Sequence, residues 1–258
     1  MLKAFKYRIY PTTSQIVLIN KHIGASRFIF NLALQTKQMA WISNNFNLSC
    51  FDLIKQLPEL KKECDWLKEL NSQSLQTPIR HLDNAFTKFF KGQCDFPVFK
   101  KKSKNGSFNI PQNVILKQNK LFIPKFKNGI KIILHRSIKG EIRQATISKT
   151  LTNKFFVSIL CETGEVSKPK SIVNAETTIG IDLGIKNFIV CSNNKIFNNP
   201  TFLRKNKNKL QYLQKKYSKH KSKRVKQKLS ILHEKITNQR KDFLHKISSK
   251  LINNHDTI

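Results

Sequence analysis

The chain has 258 residues, with 48 Lys+Arg against 15 Asp+Glu and a formal net charge of +33. Hydrophobic residues make up 39% of it, including 19 Phe, which is enough apolar material for one large domain or two modest ones and excludes wholesale disorder. No run approaches the roughly 18–20 apolar residues of a membrane span, and the five scattered cysteines contain no CxxC pair, which argues against a disulfide framework or a zinc ribbon.

Residues 2–9 alternate. Phe5, Tyr7 and Ile9 point one way and Lys6 and Arg8 the other, the pattern of a half-buried strand. This start has no apolar core of a secretory signal, neither end carries a lipidation motif, and reduced thiols fit a cytoplasmic, membrane-free protein. Pro11 ends the strand, and Thr12 with Gln15 reads as a capping box that opens a helix. Ile16, Ile19 and Ile23 recur at helical spacing, Gly24 punctuates, and Arg27 to Trp41 reads as a second helix. Helix, glycine, helix is either a helix-turn-helix DNA reader or an ordinary helical hairpin. Residues 51–91 are expected to be mostly helical, with Phe86, Phe89 and Phe90 on one face and Gly92 as the stop.

The stretch from Phe96 to Phe108 mixes aromatics, Pro, Gly and a lysine cluster, and reads as a loop or linker. It either grips a nucleic-acid strand by charge and stacking or is a solvated linker whose phenylalanines anchor in the core. From 113 to 161 the period changes to two, giving about five short strands of an antiparallel barrel or sandwich, which the strand at 2–9 joins from a distance. Residues 162–177 read as linker. Two apolar strands then flank Leu183-Gly184-Ile185-Lys186, and after Pro200 the chain is helical, with a basic interruption at Ser218–Arg224 and a long amphipathic helix marked by Leu229, Leu232, Ile236, Phe243, Ile247 and Leu251.

Charge is uneven along this path. Residues 52–69 are nearly balanced, whereas 88–143 hold 14 basic residues and two acids, and 204–250 hold 17 and two. Two basic blocks suggest an elongated path for a phosphate backbone, which rewards such charge through counterion release. One residue is chemically loaded: Asp182, a carboxylate within an otherwise apolar strand, costly there unless it accepts backbone donors or binds a cation. Carboxylates on strands before a Gly turn begin the Mg²⁺ sites of ribonuclease-H-like nucleases, whose two metals clamp a phosphodiester. The same short pattern begins the nucleotide hairpin of actin-like ATPases. The seven histidines show no ligand spacing.

Several segments together carry a more specific likeness. They include Tyr7-Arg8-Ile9-Tyr10-Pro11-Thr12, Phe89-Phe90-Lys91-Gly92, Phe96-Pro97 with Phe99-Lys100, His135-Arg136, Gly180-Ile181-Asp182-Leu183-Gly184, and Asn199-Pro200 with Arg204-Lys205. The longest is Leu232 to Ile236 with Asn238 to Lys246. In these the chain resembles the TnpB (OrfB) family of bacterial insertion sequences, transposase-related RNA-guided DNA endonucleases. The resemblance implies an α+β protein. Residues 1–11 would be the first strand of a wedge β-barrel completed by 105–165, and 12–104 a helical recognition lobe with a helix-turn-helix-like start. Residues 166–177 would be a linker, and 178–258 an incomplete RNase H-like (RuvC) domain with a basic helical hairpin. It implies guide RNA and DNA as partners.

The expected nucleic-acid contacts are Tyr7, Arg8, Arg27, Lys91, Phe96, Phe99, Lys100, Lys101, Lys102, Lys104, Arg136, Arg204, Lys205, Lys223, Arg224, Arg240 and Lys241. Asp182 falls on the first RuvC acid, a Mg²⁺ ligand in a completed site. In the family a second catalytic Glu, a CxxC zinc ribbon and a third Asp come later, whereas this sequence reads His255-Asp256-Thr257-Ile258 at its end. The chain alone is therefore expected not to cut, with Mg²⁺ not functional and no zinc, unless a separately encoded C-terminal portion completes the site. The alternatives are a helix-turn-helix accessory or regulator of transposition, or a decayed, inactive transposase fragment.

Overall fold

The computed structural model describes residues 1–102, 105–165 and 174–258. Lys104 and residues 166–173 of the expected linker lie outside the described residues. The chain divides into two compact units, Met1–Val166 and Ser167–Ile258, which are mixed helix and sheet.

The first unit begins with β1 (Leu2–Tyr10), whose Phe5, Tyr7 and Ile9 are buried as the alternation predicts. A single long helix follows, α1 (Thr13–Asn44). Its start is the expected capping box: the Thr12 N–H donates to Gln15 Oε1 (3.0 Å) and the Gln15 N–H to Thr12 Oγ1 (3.4 Å). The expected break at Gly24 is absent: one continuous helix runs through the position where helix, glycine, helix was expected. The reason is energetic. A mid-helix glycine costs only about 1 kcal/mol, and α1 is held on both sides of it. Ile16, Ile19 and Ile23 pack on the sheet, whereas Ala25, Ile29, Phe30, Ala33 and Leu34 pack on helices. Those helices are α2 (Cys50–Lys55), α3 (Leu57–Glu63) and α4 (Ser72–Phe90), with a 3₁₀ turn at Asp65–Leu67. Gly92, at φ 67°, closes α4, its N–H donating to the Phe89 carbonyl at 2.9 Å.

Six further strands complete the sheet: β2 (Gly106–Ile110), β3 (Ile115–Lys117), β4 (Lys120–Phe122), β5 (Ile130–Ile133), β6 (Glu141–Lys149) and β7 (Phe155–Glu162). The order is β2-β6-β7-β1-β5-β4-β3, all antiparallel. β1 sits at the centre, with Tyr7 opposite Val157 and Ile9 opposite Ile132. The strand at 2–9 thus joins from a distance, as expected. Two corrections apply. The sheet curls but has edges at β2 and β3, so the described ladder is not a closed barrel. Residues 106–108, read as linker, belong to β2. Gly106 allows β2 to approach α1, because a Cβ there would meet Ile23 Cγ2 at 2.2 Å.

The second unit holds a three-stranded sheet, β8 (Ile181–Leu183), β9 (Asn187–Cys191) and β10 (Ile196–Asn198), in the order β10-β9-β8. β10 has only three residues and escaped the sequence reading. Then come α5 (Phe202–Lys205), α6 (Lys207–His220) and α7 (Lys223–Asn254), with the break between α6 and α7 inside the expected basic interruption. α7 has two apolar segments. Val225, Leu232 and Ile236 pack with Leu213 of α6, while Ile247 and Leu251 pack with Ile189 and Cys191 of β9 and with Ile179, which precedes β8. Thr257 bridges Thr178 in parallel. No described helix is long and apolar enough to cross a membrane.

Candidate nucleic-acid interface

Asp182 stands in β8 opposite Val190. Asp182 is exposed, and so are Ile181, Leu183 and Ile185, so the desolvation cost of a buried carboxylate does not arise. The apolar pattern of that strand has no cover among the described residues. The turn after it is well tied, with the Gly184 N–H donating to the Phe188 carbonyl (3.3 Å) and Asn199 Nδ2 to the Ile185 carbonyl (2.9 Å). The other carboxylates of this unit do not converge on Asp182. Asp242 pairs with Lys246 along α7 at 2.8 Å, and no described group of three His, Cys, Asp or Glu could hold a metal ion. The donors present do not fit a two-metal site, which needs several carboxylates around a shared pair of ions.

The expected phosphate and base contacts divide into three sets. Tyr7 is a correction. It is 1% exposed, and its hydroxyl donates to the Arg136 carbonyl at 3.1 Å. Burial pushes its phenol above the usual range, ahead of the opposing effect of Arg136. Tyr7 is therefore core, and its alternation with Phe5 and Ile9 already said so. Arg8, on the opposite face, lies between the rings of Tyr10 (5.4 Å) and Phe156 (5.0 Å), and Lys6 covers Phe156 at 4.9 Å. Tyr10, Phe156 and Lys6 thus join Arg8 on an outer sheet face, a grouping visible only once β1 and β7 are paired. The Arg136 guanidinium lies over Phe5 at 5.0 Å.

The second set surrounds the end of α4. Phe96 meets Phe86 and Phe89 edge-on at 5.4 and 5.3 Å, so it anchors its loop. Lys100 is anchored too. Its ammonium lies 3.7 Å from the Phe30 ring, and its backbone is clasped by the Asn31 amide at 2.8 and 3.1 Å. Burial lowers its pKa. Phe99, Lys91, Lys101 and Lys102 remain exposed, and Arg27 is half-buried. The loop thus anchors through Phe96 and Lys100 and carries exposed lysines at 101 and 102.

The third set lies in the second unit. Arg204 and Arg240, 36 positions apart in sequence, line one cavity of about 710 Å³, together with Lys207, which sequence reasoning missed. Lys205, Lys223, Arg224 and Lys241 are exposed on the helices nearby.

Two family models match. One, described as a helix-turn-helix domain of OrfB proteins of the IS605 type, matches residues 1–45. The other, described as a probable transposase of the same type, matches residues 158–258. The "Putative RNA-guided DNA endonuclease InsQ" of Escherichia coli (strain K12) is 31% identical over 266 residues, covering 100% of this chain and 65% of that protein. A "Putative RNA-guided DNA endonuclease" of Streptomyces pristinaespiralis is 30% identical, covering 99% of this chain and 65% of the relative. The chain thus spans about two thirds of the length of these relatives. Among solved structures, a Cas12f1–sgRNA–target DNA complex aligns over 98% of this chain and 69% of that one, at 12% identity and a TM-score of 0.35.

Proposed function

The chain belongs to the TnpB/OrfB transposase family of insertion sequences, and from that premise we propose that it captures a guide RNA and, through it, DNA. The observation that carries the reading is the placement of cations. Exposed lysines and arginines lie along α6 and α7, on the loop after α4 and on the outer face of β1, with few carboxylates among them. The relatives named as RNA-guided DNA endonucleases support the class of partner. Under this reading, residues 1–11 and 105–165 serve as the wedge, 12–104 as the recognition lobe and 178–258 as a RuvC-like domain.

Asp182 is the proposed first acid of the RuvC-type site. Because its neighbours do not supply a metal-binding set, no cleavage step is assigned to this chain alone.

The test is purification of the chain with its bound nucleic acid. A discrete RNA should co-purify, and sequence-specific DNA binding should need that RNA and vanish after ribonuclease treatment. Plasmid cleavage with Mg²⁺ should be undetectable. DNA binding that survives ribonuclease would replace this reading with a DNA-binding accessory role, and Mg²⁺-dependent cleavage abolished by Asp182→Ala would overturn the catalytic half.

A further inference from the structure

The cavity lined by Arg204 combines three features. Its floor is aromatic: Phe243 stands edge-on to Phe188 at 5.2 Å and to Phe202 at 6.1 Å. Its rim is cationic, through Arg204, Lys207 and Arg240, and no carboxylate belongs to its lining. Its wall is held in a defined shape. The Asn199 side chain donates to the Ile185 carbonyl at 2.9 Å and accepts the Thr201 N–H at 3.0 Å. Thr201 is forced to φ 49°, ψ 38°, a left-handed conformation that a β-branched residue seldom adopts.

From this we infer that the cavity receives one unstacked nucleotide of a single strand, its base against the phenylalanines and its phosphate on Arg204, Lys207 and Arg240. Volume agrees with a ligand of that size. About 710 Å³ lies within the roughly 300–1,000 Å³ of ligand pockets, and an aromatic floor with a few convergent polar groups is how such pockets are built. Chemistry selects the occupant. A purely apolar ligand would make no use of the three cations, and a bare phosphate would leave the rings unused. A nucleotide uses both, since every base has a π-face and every linkage an anion. A paired, stacked base could not enter, so the site distinguishes single strands from duplex. The inference rests on the nucleic-acid reading above and adds a base-binding site to it.

The test uses the 258-residue chain with a single-stranded oligonucleotide carrying one 5-iodouracil, in a DNA form and an RNA form. On irradiation this base joins covalently to an aromatic side chain it touches. The adduct should map to Phe188, Phe202 or Phe243 in at least one form, and the form that reacts identifies the strand. Leu244→Glu, at an exposed position on the lip, should lower that adduct at least fivefold per bound strand. Arg204→Gln with Arg240→Gln should do the same. Lys219→Gln, on α6 outside the cavity, should weaken binding while leaving the adduct per bound strand unchanged. Adducts found only elsewhere, or a cavity adduct indifferent to both lining variants, would overturn the site while leaving nucleic-acid binding intact. Absence of binding to either strand would overturn the site and the reading on which it rests.

Discussion

Nε2 of His22 accepts the backbone N–H of Asn71 at 3.3 Å, while Nδ1 faces the Leu18 carbonyl at 2.9 Å. An amide N–H can only donate, so Nε2 is unprotonated and Nδ1 carries the hydrogen. The ring also stacks on Phe108 of β2 at 4.6 Å and tilts against Phe126 at 5.8 Å. One imidazole therefore joins α1, the N-cap of α4 and the sheet. Burial lowers its pKa, the Leu18 carbonyl opposes that, and nearby Lys125 reinforces it.

This fixes a pH dependence. The folded state keeps His22 neutral below its unfolded pKa of about 6.5. The unfolded chain then binds the extra proton, so stability rises with pH in that window. Its contribution is complete above about pH 6.5 and is lost as pH falls toward the lowered folded value. Chemical denaturation of the first unit should show a falling midpoint over that range. In His22→Gln the midpoint should be lower throughout and the slope with pH smaller. An unchanged slope would remove His22 as the cause.

Gly24 supports a second prediction. It lies inside α1, and a Cβ there would meet nothing within 4 Å. Gly24→Ala should stabilise the protein by about 0.5–1 kcal/mol, by reducing the freedom of the unfolded chain and improving helix propensity. Thermal unfolding read by circular dichroism checks this. A loss of stability would mean that the helix needs glycine at that point, as a turn would.

Gly24 also illustrates what the sequence could not say. A glycine between two apolar periodicities looks the same whether the helix breaks or runs through, because the outcome depends on packing from other elements, α2 to α4 on one side and the sheet on the other. Strands β1 and β3 to β7 were legible, since apolar residues recur at alternate positions along each of them. β2 carries that alternation only at Phe108 and Ile110, beside a lysine cluster that resembles a linker. At the candidate sites, residue type was readable but orientation was not. Arg204 and Arg240 meet because α7 doubles back on α6, and no local pattern announces it.

The approach of β2 to α1 gives a third prediction. At Gly106 a methyl would fall 2.2 Å from Ile23 Cγ2, so one of two packed elements must shift. Gly106→Ala should cost about 1–3 kcal/mol. Adding Ile23→Ala should recover part of that, because the clashing branch is gone. The coupling in a double-mutant cycle should be at least about 0.5 kcal/mol. Simple additivity would mean that the cost comes from backbone conformation alone.

The last prediction separates core from contact among residues that looked alike in sequence. Tyr7→Phe removes the donor to the Arg136 carbonyl and should cost about 0.5–1.5 kcal/mol of stability. It should leave affinity for a single-stranded oligonucleotide unchanged, because the ring is inaccessible. Lys101→Gln with Lys102→Gln should do the reverse. Both side chains are exposed on the loop after α4, so stability should move by less than about 0.5 kcal/mol. Affinity should fall, and the slope of log K against log salt should become shallower by about 0.7 per lost phosphate contact on a single strand. Two contacts would reduce it by about 1.4. Fluorescence anisotropy across salt concentrations measures this directly. An unaltered slope would place the phosphate backbone away from this loop and leave the other exposed cations to carry the binding.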